Sequence, residues 1–581
     1  MLGVAPKIGG ATMPDDFSTL FESAKKQLQP QPRPTPAPAP DESEWPFYCL
    51  GYDRDRYFLY TREGKQVITM SAKDLSSHGQ LLKLARLAWL EGAFPGREAF
   101  NAKQAADEII RACYRQGVYD PDRVRGRGVW IDAGRSVLHL GDRLIVDGVP
   151  THLIEMESRF IYEQARQIPV ELGEPLTDDE GKRFLALCRA VAWEDPNRDG
   201  SFFAGFIASA IIGGALPWRP HVWILSEFGG GKTWVQDNIL SPALGGLALI
   251  LQGKTTEAGV RGELGNDARP VFFEEAETQS EPDRVRMQQV IDLARQASSE
   301  NSPPIVKGTK EGGSRRYVVR GSFLFASINA GLTQAADESR FAALRLEGGN
   351  PDQFATLKVA HQEAMVPNLH GRLVARLLAL IPTIRANCDA IAEAIARTGA
   401  GRRVGDTLGT LIACQMALVD QRKLTTEEAA AMVAAREWVR LAAAEAKVAP
   451  EWERALSHLM QGEGMRRTVG SRQESVSIAG LIAAVNGHDE SLTAWDADLA
   501  LRRMWMRVVD HREHGRCLMV SAKSDAVTQR FRPTPWGAGW LATLARIPGA
   551  HRNVAARMDD GTQKCLAIPL ASIAQENSDA A

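Results

Sequence analysis

Three glycines followed by Lys and Thr, Gly229-Gly-Gly-Lys-Thr233, join an apolar run, Val222-Trp-Ile-Leu225, to a helical pattern over Trp234 to Leu240. A strand that turns into a helix through glycines leaves backbone N–H groups aimed inward, and the helix N-terminus adds its dipole. Gly229, Gly230 and Gly231 therefore form a loop shaped to wrap phosphate. Lys232 is placed to reach the β- and γ-phosphates of ATP, and the Thr233 hydroxyl to ligate Mg²⁺. The loop departs once from the usual P-loop: Ser226 stands at the first glycine position, where a small residue can still make the turn. Residues 176–350 alternate helix and strand around this loop, the pattern of a parallel-sheet ATPase core.

Downstream, Arg269-Pro-Val-Phe-Phe-Glu-Glu-Ala-Glu277 reads as an apolar strand ending in two carboxylates. Glu274 is expected to hold the magnesium shell and Glu275 to polarise the attacking water. Glu in place of Asp at the first position adds one methylene, which a water-bridged metal tolerates. A further apolar strand, Ser322-Phe-Leu-Phe-Ala-Ser-Ile-Asn-Ala330, ends in an amide. Asn329 there is either a strand-capping turn residue or a bridge between the γ-phosphate and the lytic water. The order and spacing of the three motifs favour the second role.

These segments resemble superfamily 3 helicases of the AAA+ type. They are most similar to the helicase portion of phage and plasmid primase-helicases of the poxvirus and phage-satellite kind. The resemblance rests on Trp218-Arg-Pro-His-Val-Trp-Ile-Leu225, the Gly-Lys-Thr loop, the Glu274-Glu275 strand and the Asn-ended strand, and is strongest over residues 200–350. The meander over Gly126 to Gly148 also looks like the domain that precedes such motors. No intact primase motif is present; Asp120 and Asp122 flank Pro121 in a turn, so they read as turn residues. The resemblance implies a hexameric ring that hydrolyses ATP with Mg²⁺ and moves on single-stranded DNA in the 3′→5′ direction. It also implies an arginine finger at Arg340, with Arg345 as the alternative, completing a neighbour's site; an ordinary helix-surface salt bridge is the other reading of either residue.

Lys plus Arg (69) nearly balances Asp plus Glu (71), so no global positive field recruits nucleic acid and any DNA contact must come from local clusters. One lies over Pro303 to Arg320, where two strand-like runs flank a glycine-rich turn and Lys307, Lys310, Arg315 and Arg316 gather. In the resembled helicases a hairpin at this place enters the ring channel, and six copies would build a basic funnel for one strand. The alternative is an exposed hairpin solvated by its charges. Thr255, Thr256 and Arg261 are secondary candidates for the channel.

The chain divides by composition into five parts: a tail with a short amphipathic helix and Pro-rich linker (1–43), an α+β collar domain (44–175), the α/β AAA+ core (176–350), a helical lid (351–450) and a winged-helix-like domain (451–581). The tail helix, Phe17 to Leu28, is expected to dock on a neighbour or partner or else to be a plain tail. In the last domain Arg502, Arg503, Arg507 and the turn His511 to Arg516 would touch either DNA or protein. The 7 cysteines include no CxxC pair, which argues against a zinc ribbon or a disulfide framework. The most apolar stretch, Phe202 to Leu216, is shorter than the ~20 residues of a membrane span and reads as a buried helix. No h-region marks a secretory signal, so the cytoplasm of a bacterial host is expected. The reading is a replicative helicase acting on forked DNA, with a separate primase or replication protein as a partner. A loader or initiator that remodels DNA without processive unwinding is the alternative. A non-hydrolysing structural ring fits the intact motifs less well.

Overall fold

Strands that read as unbroken apolar runs need parallel neighbours and helices over both faces, because each of their faces must be buried. In the computed structural model three such runs form the middle of one sheet, β1 (His221–Ser226), β3 (Val271–Glu274) and β4 (Phe323–Ser327), and two more exposed strands close its edges, β2 (Leu249–Gln252) and β5 (Phe341–Leu346). Their order is β2-β3-β4-β1-β5, with every pair parallel. The strands before the glycine loop and before Glu274 thus flank β4 on either side. All five carboxyl ends open on one edge, where ligands of open α/β sheets bind.

Alternate residues serve two layers. Val222, Ile224, Phe272, Leu324 and Leu344 face a core built with the helices Asp178–Ala190, Asp199–Ile211, Leu369–Ile395 and Arg402–Val419. The apolar stretch that is too short for a membrane is the second of these helices, buried along its whole length. No helix among the described residues is long and apolar enough to cross a membrane. On the other face Trp223, Phe273, Phe325 and Phe341 pack with the helices Glu257–Leu264 and Glu281–Ala297. The Trp223 and Phe325 rings stack at 4.9 Å, and the indole N–H of Trp223 donates to Ser327 Oγ at 2.7 Å, so a buried donor is satisfied. His221 opens β1 fully buried; its Nδ1 accepts from the Phe323 N–H at 3.0 Å and its Nε2 meets Ser298 Oγ at 2.9 Å. Burial brings His221 down to about 3, so the ring is neutral.

The structure describes residues 42–97, 99–227, 229–274, 276, 280–308, 314–328, 335–445, 450–469, 472–488, 492–537, 539–558 and 561–574. The tail helix and Pro-rich linker lie outside them. The chain forms two units, Met1–Pro121 and Asp122–Ala581. In the first, the antiparallel strands Phe47–Asp53, Arg56–Thr61 and Val67–Ser71 share a core with the helix Ala102–Gln116. Three short helices, Ala72–Leu75, His78–Leu81 and Leu87–Ala93, precede this one. The boundary falls inside the segment read as one collar domain. The meander is four antiparallel strands, Gly128–Asp132, Arg135–His139, Leu144–Val146 and Val149–Thr151, with Gly134, Gly141 and Gly148 between them. Its residues Val129, Leu138 and Ile145, however, join the same core as Phe206 and Ile207. Alternation shows that a strand has an apolar face but not what covers it.

Residues 351–445 are helical. In the C-terminal region the strands Met506–His511 and Gly515–Ser521 pair as a hairpin through the charged turn, as read. They are also the first half of a four-stranded antiparallel sheet completed by His551–Met558 and Gly561–Pro569.

Candidate active site

The loop after β1 is held by its glycines. Gly229 and Gly231 have φ of 80° and 93°, a region that side-chain-bearing residues rarely enter. Gly230 carries a different constraint: a Cβ there would lie 2.0 Å from Ser226 Oγ. The serine at the first motif position is therefore accommodated by the absence of a side chain at 230. Ser226 Oγ donates to the Glu227 carbonyl at 3.1 Å, and Lys232 Nζ donates to the Ser226 carbonyl at 3.1 Å. Lys232 begins the helix Lys232–Val235. The helix does not run regularly to Leu240: Gln236–Leu240 is a π-helical turn, followed by Ser241–Leu244 with a proline in its first turn. Pro242 has no N–H to return to residue 238, which favours the wider register.

Gly229 to Thr233 line a cleft of about 990 Å³ together with Glu274, at the carboxyl end of β3. The sheet therefore brings the phosphate loop, the Thr233 hydroxyl and the Glu274 carboxylate to one place. An alcohol and a carboxylate are hard oxygen donors of the kind Mg²⁺ takes alongside waters and phosphate oxygens. These residues fit that ion. Glu274 accepts a hydrogen bond from the Gln236 amide, one helical turn beyond Lys232, so the P-loop helix and the β3 carboxylate are tied directly. Glu275 and Asn329 lie outside the described residues, immediately after the described ends of β3 and β4.

Arg340 sits at the opposite edge of the sheet. Its carbonyl accepts from His221 N at 3.1 Å, at the amino end of β1, whereas the phosphate loop follows the carboxyl end. With β1 six residues long and ~3.3 Å per residue, the separation is about 20 Å. Arg340 cannot serve its own subunit's loop. It is partly buried, its guanidinium 5.9 Å from the Trp218 ring. Burial, then the neighbouring Arg403 and Arg295, bring it down to about 10. Arg345, the alternative finger, pairs with Glu194 at 3.2 Å on the surface.

The basic segment before β4 is a hairpin as read, Ile305–Gly308 against Ser314–Tyr317, with Lys307 opposite Arg315 and Val306 opposite Arg316. Lys307 is exposed. Arg316 is exposed but pairs with Asp122 at 2.8 Å, which gives Asp122 a structural partner, in keeping with its reading as a turn residue. The Lys310 position and the Arg315 side chain lie outside what the structure describes. Arg261, a secondary candidate for the channel, is held inside the fold. It is buried, donates to Glu257 at 2.9 Å, and lies 4.2 Å over the Tyr317 ring, joining its helix to the hairpin's second strand. Thr256 caps that helix, its hydroxyl accepting from Gly259 N.

Scanned against protein-family models and against curated proteins, the chain matches none. Among solved structures it is similar to one described as SCCmec type IV Cch, active helicase. That likeness has 12% identity and a TM-score of 0.42 over 91% of this chain and 94% of that one. A second likeness is to the apo C-terminal region of NrS-1, with 10% identity and a TM-score of 0.29 over 90% and 96% of the two chains. At these scores neither establishes a common fold, and the functional reading stands on the site's own residues.

Sequence reading missed five polar residues of the cleft: Gln236, Gln252, Lys254, Asp283 and Arg286. Gln236 was accessible to it, since a residue four beyond Lys232 shares its helix face. Lys254 follows β2, and Asp283 and Arg286 lie on the helix after β3. Only the strand order brings them to the phosphate loop.

Proposed function

We propose that this chain is an ATP-dependent DNA helicase of the superfamily 3 type, acting as a ring and translocating on single-stranded DNA during replication of a phage or related mobile element. The observation that carries the reading is the convergence of the Gly229–Thr233 loop and Glu274 in one cleft at the carboxyl edge of a parallel sheet. Loop amides and Lys232 bind and neutralise the polyphosphate of ATP. Thr233 and Glu274 hold Mg²⁺, which when bound supplies charge neutralisation at the transferring phosphoryl group. Glu275 accepts a proton from the attacking water, and Asn329 orients that water against the γ-phosphate.

Arg340 supports the ring. It is a cation about 20 Å from its own loop by the strand-rise estimate above, where burial and the neighbouring Arg403 and Arg295 press on its charge. In the ring the guanidinium is offered to a neighbour's γ-phosphate. The exposed hairpin with Lys307, together with Lys310, Arg315 and Arg316, supports contact with the DNA backbone, and Arg316 exchanges its weak surface pair with Asp122 for phosphate at little loss.

Strand displacement on forked DNA tests the proposal. Unwinding is expected with ATP and Mg²⁺, from 3′-tailed forks, and not with a Lys232→Ala protein. ATP turnover that DNA stimulates without any strand displacement would instead assign the chain to loading or origin remodelling.

A further inference from the structure

The cleft that holds the phosphate loop contains a cation to which the motif reading gives no role. Arg286 lies in the second turn of the helix Glu281–Ala297 and lines the same cleft as Gly229 to Thr233 and Glu274. One side of its guanidinium is engaged, Nη2 donating to Asp283 Oδ1 at 2.7 Å. Its Nε is shielded from solvent and has no hydrogen-bond partner among the described residues. A shielded N–H on a charged group is a costly vacancy, and an anion that enters the cleft fills it. The helix cannot shift to fill it, because Met287, Val290 and Ile291 on its inner face are buried in the core. Only the side chain can turn.

Which anion follows from the sheet order. The helix that carries Arg286 follows β3, and β3 lies across β4 from the phosphate loop. A polyphosphate bound by Gly229 to Lys232, with a metal that Thr233 and Glu274 would hold, would have its terminal phosphate on the β3 side of the cleft. The nucleoside is left at the P-loop helix. Arg286 is thus beyond the β-phosphate, on the side of the group that is transferred.

We propose that Arg286 is a ligand of the terminal phosphate of the bound nucleoside triphosphate, exchanging its bond to Asp283 for phosphate oxygens. The proposal rests on the nucleotide reading of the cleft. Arg286 then distinguishes ATP from ADP within one subunit, a task separate from that of Arg340, which lies at the other edge of the sheet. Asp283 holds the guanidinium in place and competes with the phosphate for it.

Titration of the full chain with fluorescent methylanthraniloyl-ATP and methylanthraniloyl-ADP in the presence of Mg²⁺ tests this. Arg286→Ala is expected to weaken ATP by about tenfold or more, the scale of a charge-assisted bond, and ADP by less than about twofold. Arg286→Lys should fall between, since it keeps the charge and loses the fork. Asp283→Asn should tighten ATP and leave ADP unchanged, because the competitor for the guanidinium is neutralised. Equal losses for both nucleotides in Arg286→Ala, or an unchanged ATP-to-ADP preference, overturn the proposal. Lys232→Ala keeps the two readings apart: retention of both nucleotides by that variant defeats the nucleotide reading itself. Loss of both there, with an unaltered preference in Arg286→Ala, defeats the Arg286 assignment alone.

Discussion

The serine at the head of the phosphate loop makes a quantitative demand on Gly230. A methyl group added there would sit 2.0 Å from Ser226 Oγ, 3.3 Å from the Glu227 carbonyl oxygen and 3.4 Å from Ser226 Cβ. The last two contacts are tight but tolerable, whereas the first forces the hydroxyl to rotate. Rotation breaks its bond to the Glu227 carbonyl, and a lost hydrogen bond at a buried group costs about 1 kcal/mol. If the hydroxyl cannot turn and the backbone must move, overpacking raises this to about 1–3 kcal/mol. The strain falls on the phosphate-binding conformation, so Gly230→Ala should weaken nucleotide binding by about five- to a hundredfold, at about 1.4 kcal/mol per tenfold. The double substitution Ser226→Gly with Gly230→Ala should recover most of that loss, because it removes the atom in the way. Fluorescent-nucleotide titration of the wild type, the two single variants and the double variant measures the coupling directly. Wild-type affinity in Gly230→Ala, or additive losses in the double variant, would refute the packing argument.

Four further outcomes are expected. Glu275→Gln should bind ATP and hydrolyse it at least about a hundredfold more slowly; near-normal turnover in a steady-state phosphate assay would move the base to another carboxylate. Arg340→Ala should bind ATP without hydrolysing it, and mixed rings with Glu275→Gln should regain activity where an intact finger meets an intact base; absence of rescue in rings confirmed to be mixed would falsify action in trans. Tyr317→Leu should reduce DNA-stimulated turnover several-fold while Tyr317→Phe, which keeps the ring beneath Arg261, should not, at about 0.5–2 kcal/mol for the cation–ring contact. His221 is neutral in the fold and its folded value lies below the unfolded one. The unfolded chain therefore binds the proton first, and stability falls as pH drops from about 6.5 toward 3, by about 2 kcal/mol at pH 5. Thermal melts of His221→Gln should show a smaller pH 7-to-5 difference than the wild type.

The parts of this protein that the sequence determined are those in which one short segment carries its own physics. The loop Gly229–Thr233 was legible because positive φ and inward amides are local properties of glycine. The strands β1, β3 and β4 were legible because unbroken apolar runs fit no exposed element. The meander turns at Gly134, Gly141 and Gly148 were legible too, each with φ above 80°. The π-helical turn after Val235 was also written locally, in Pro242, although the sequence reads as a plain helix.

Tertiary structure decided what no segment holds alone. Arg261 is basic and precedes the Glu274 strand in sequence, yet it is buried against Tyr317, because the ring that covers it lies more than fifty residues away in the chain. Residues 122–175 joined the core around the parallel sheet because their apolar strands found cover there rather than in residues 44–121. Arg286 entered the cleft of the Gly229–Thr233 loop because its helix follows β3, which the sheet order places two strands from β1. Strand order is a choice among pairings with similar local patterns, settled by which buries the most apolar surface and satisfies all backbone groups at once. Information of that kind is distributed over the whole sheet, and it is what set the residues around the phosphate loop.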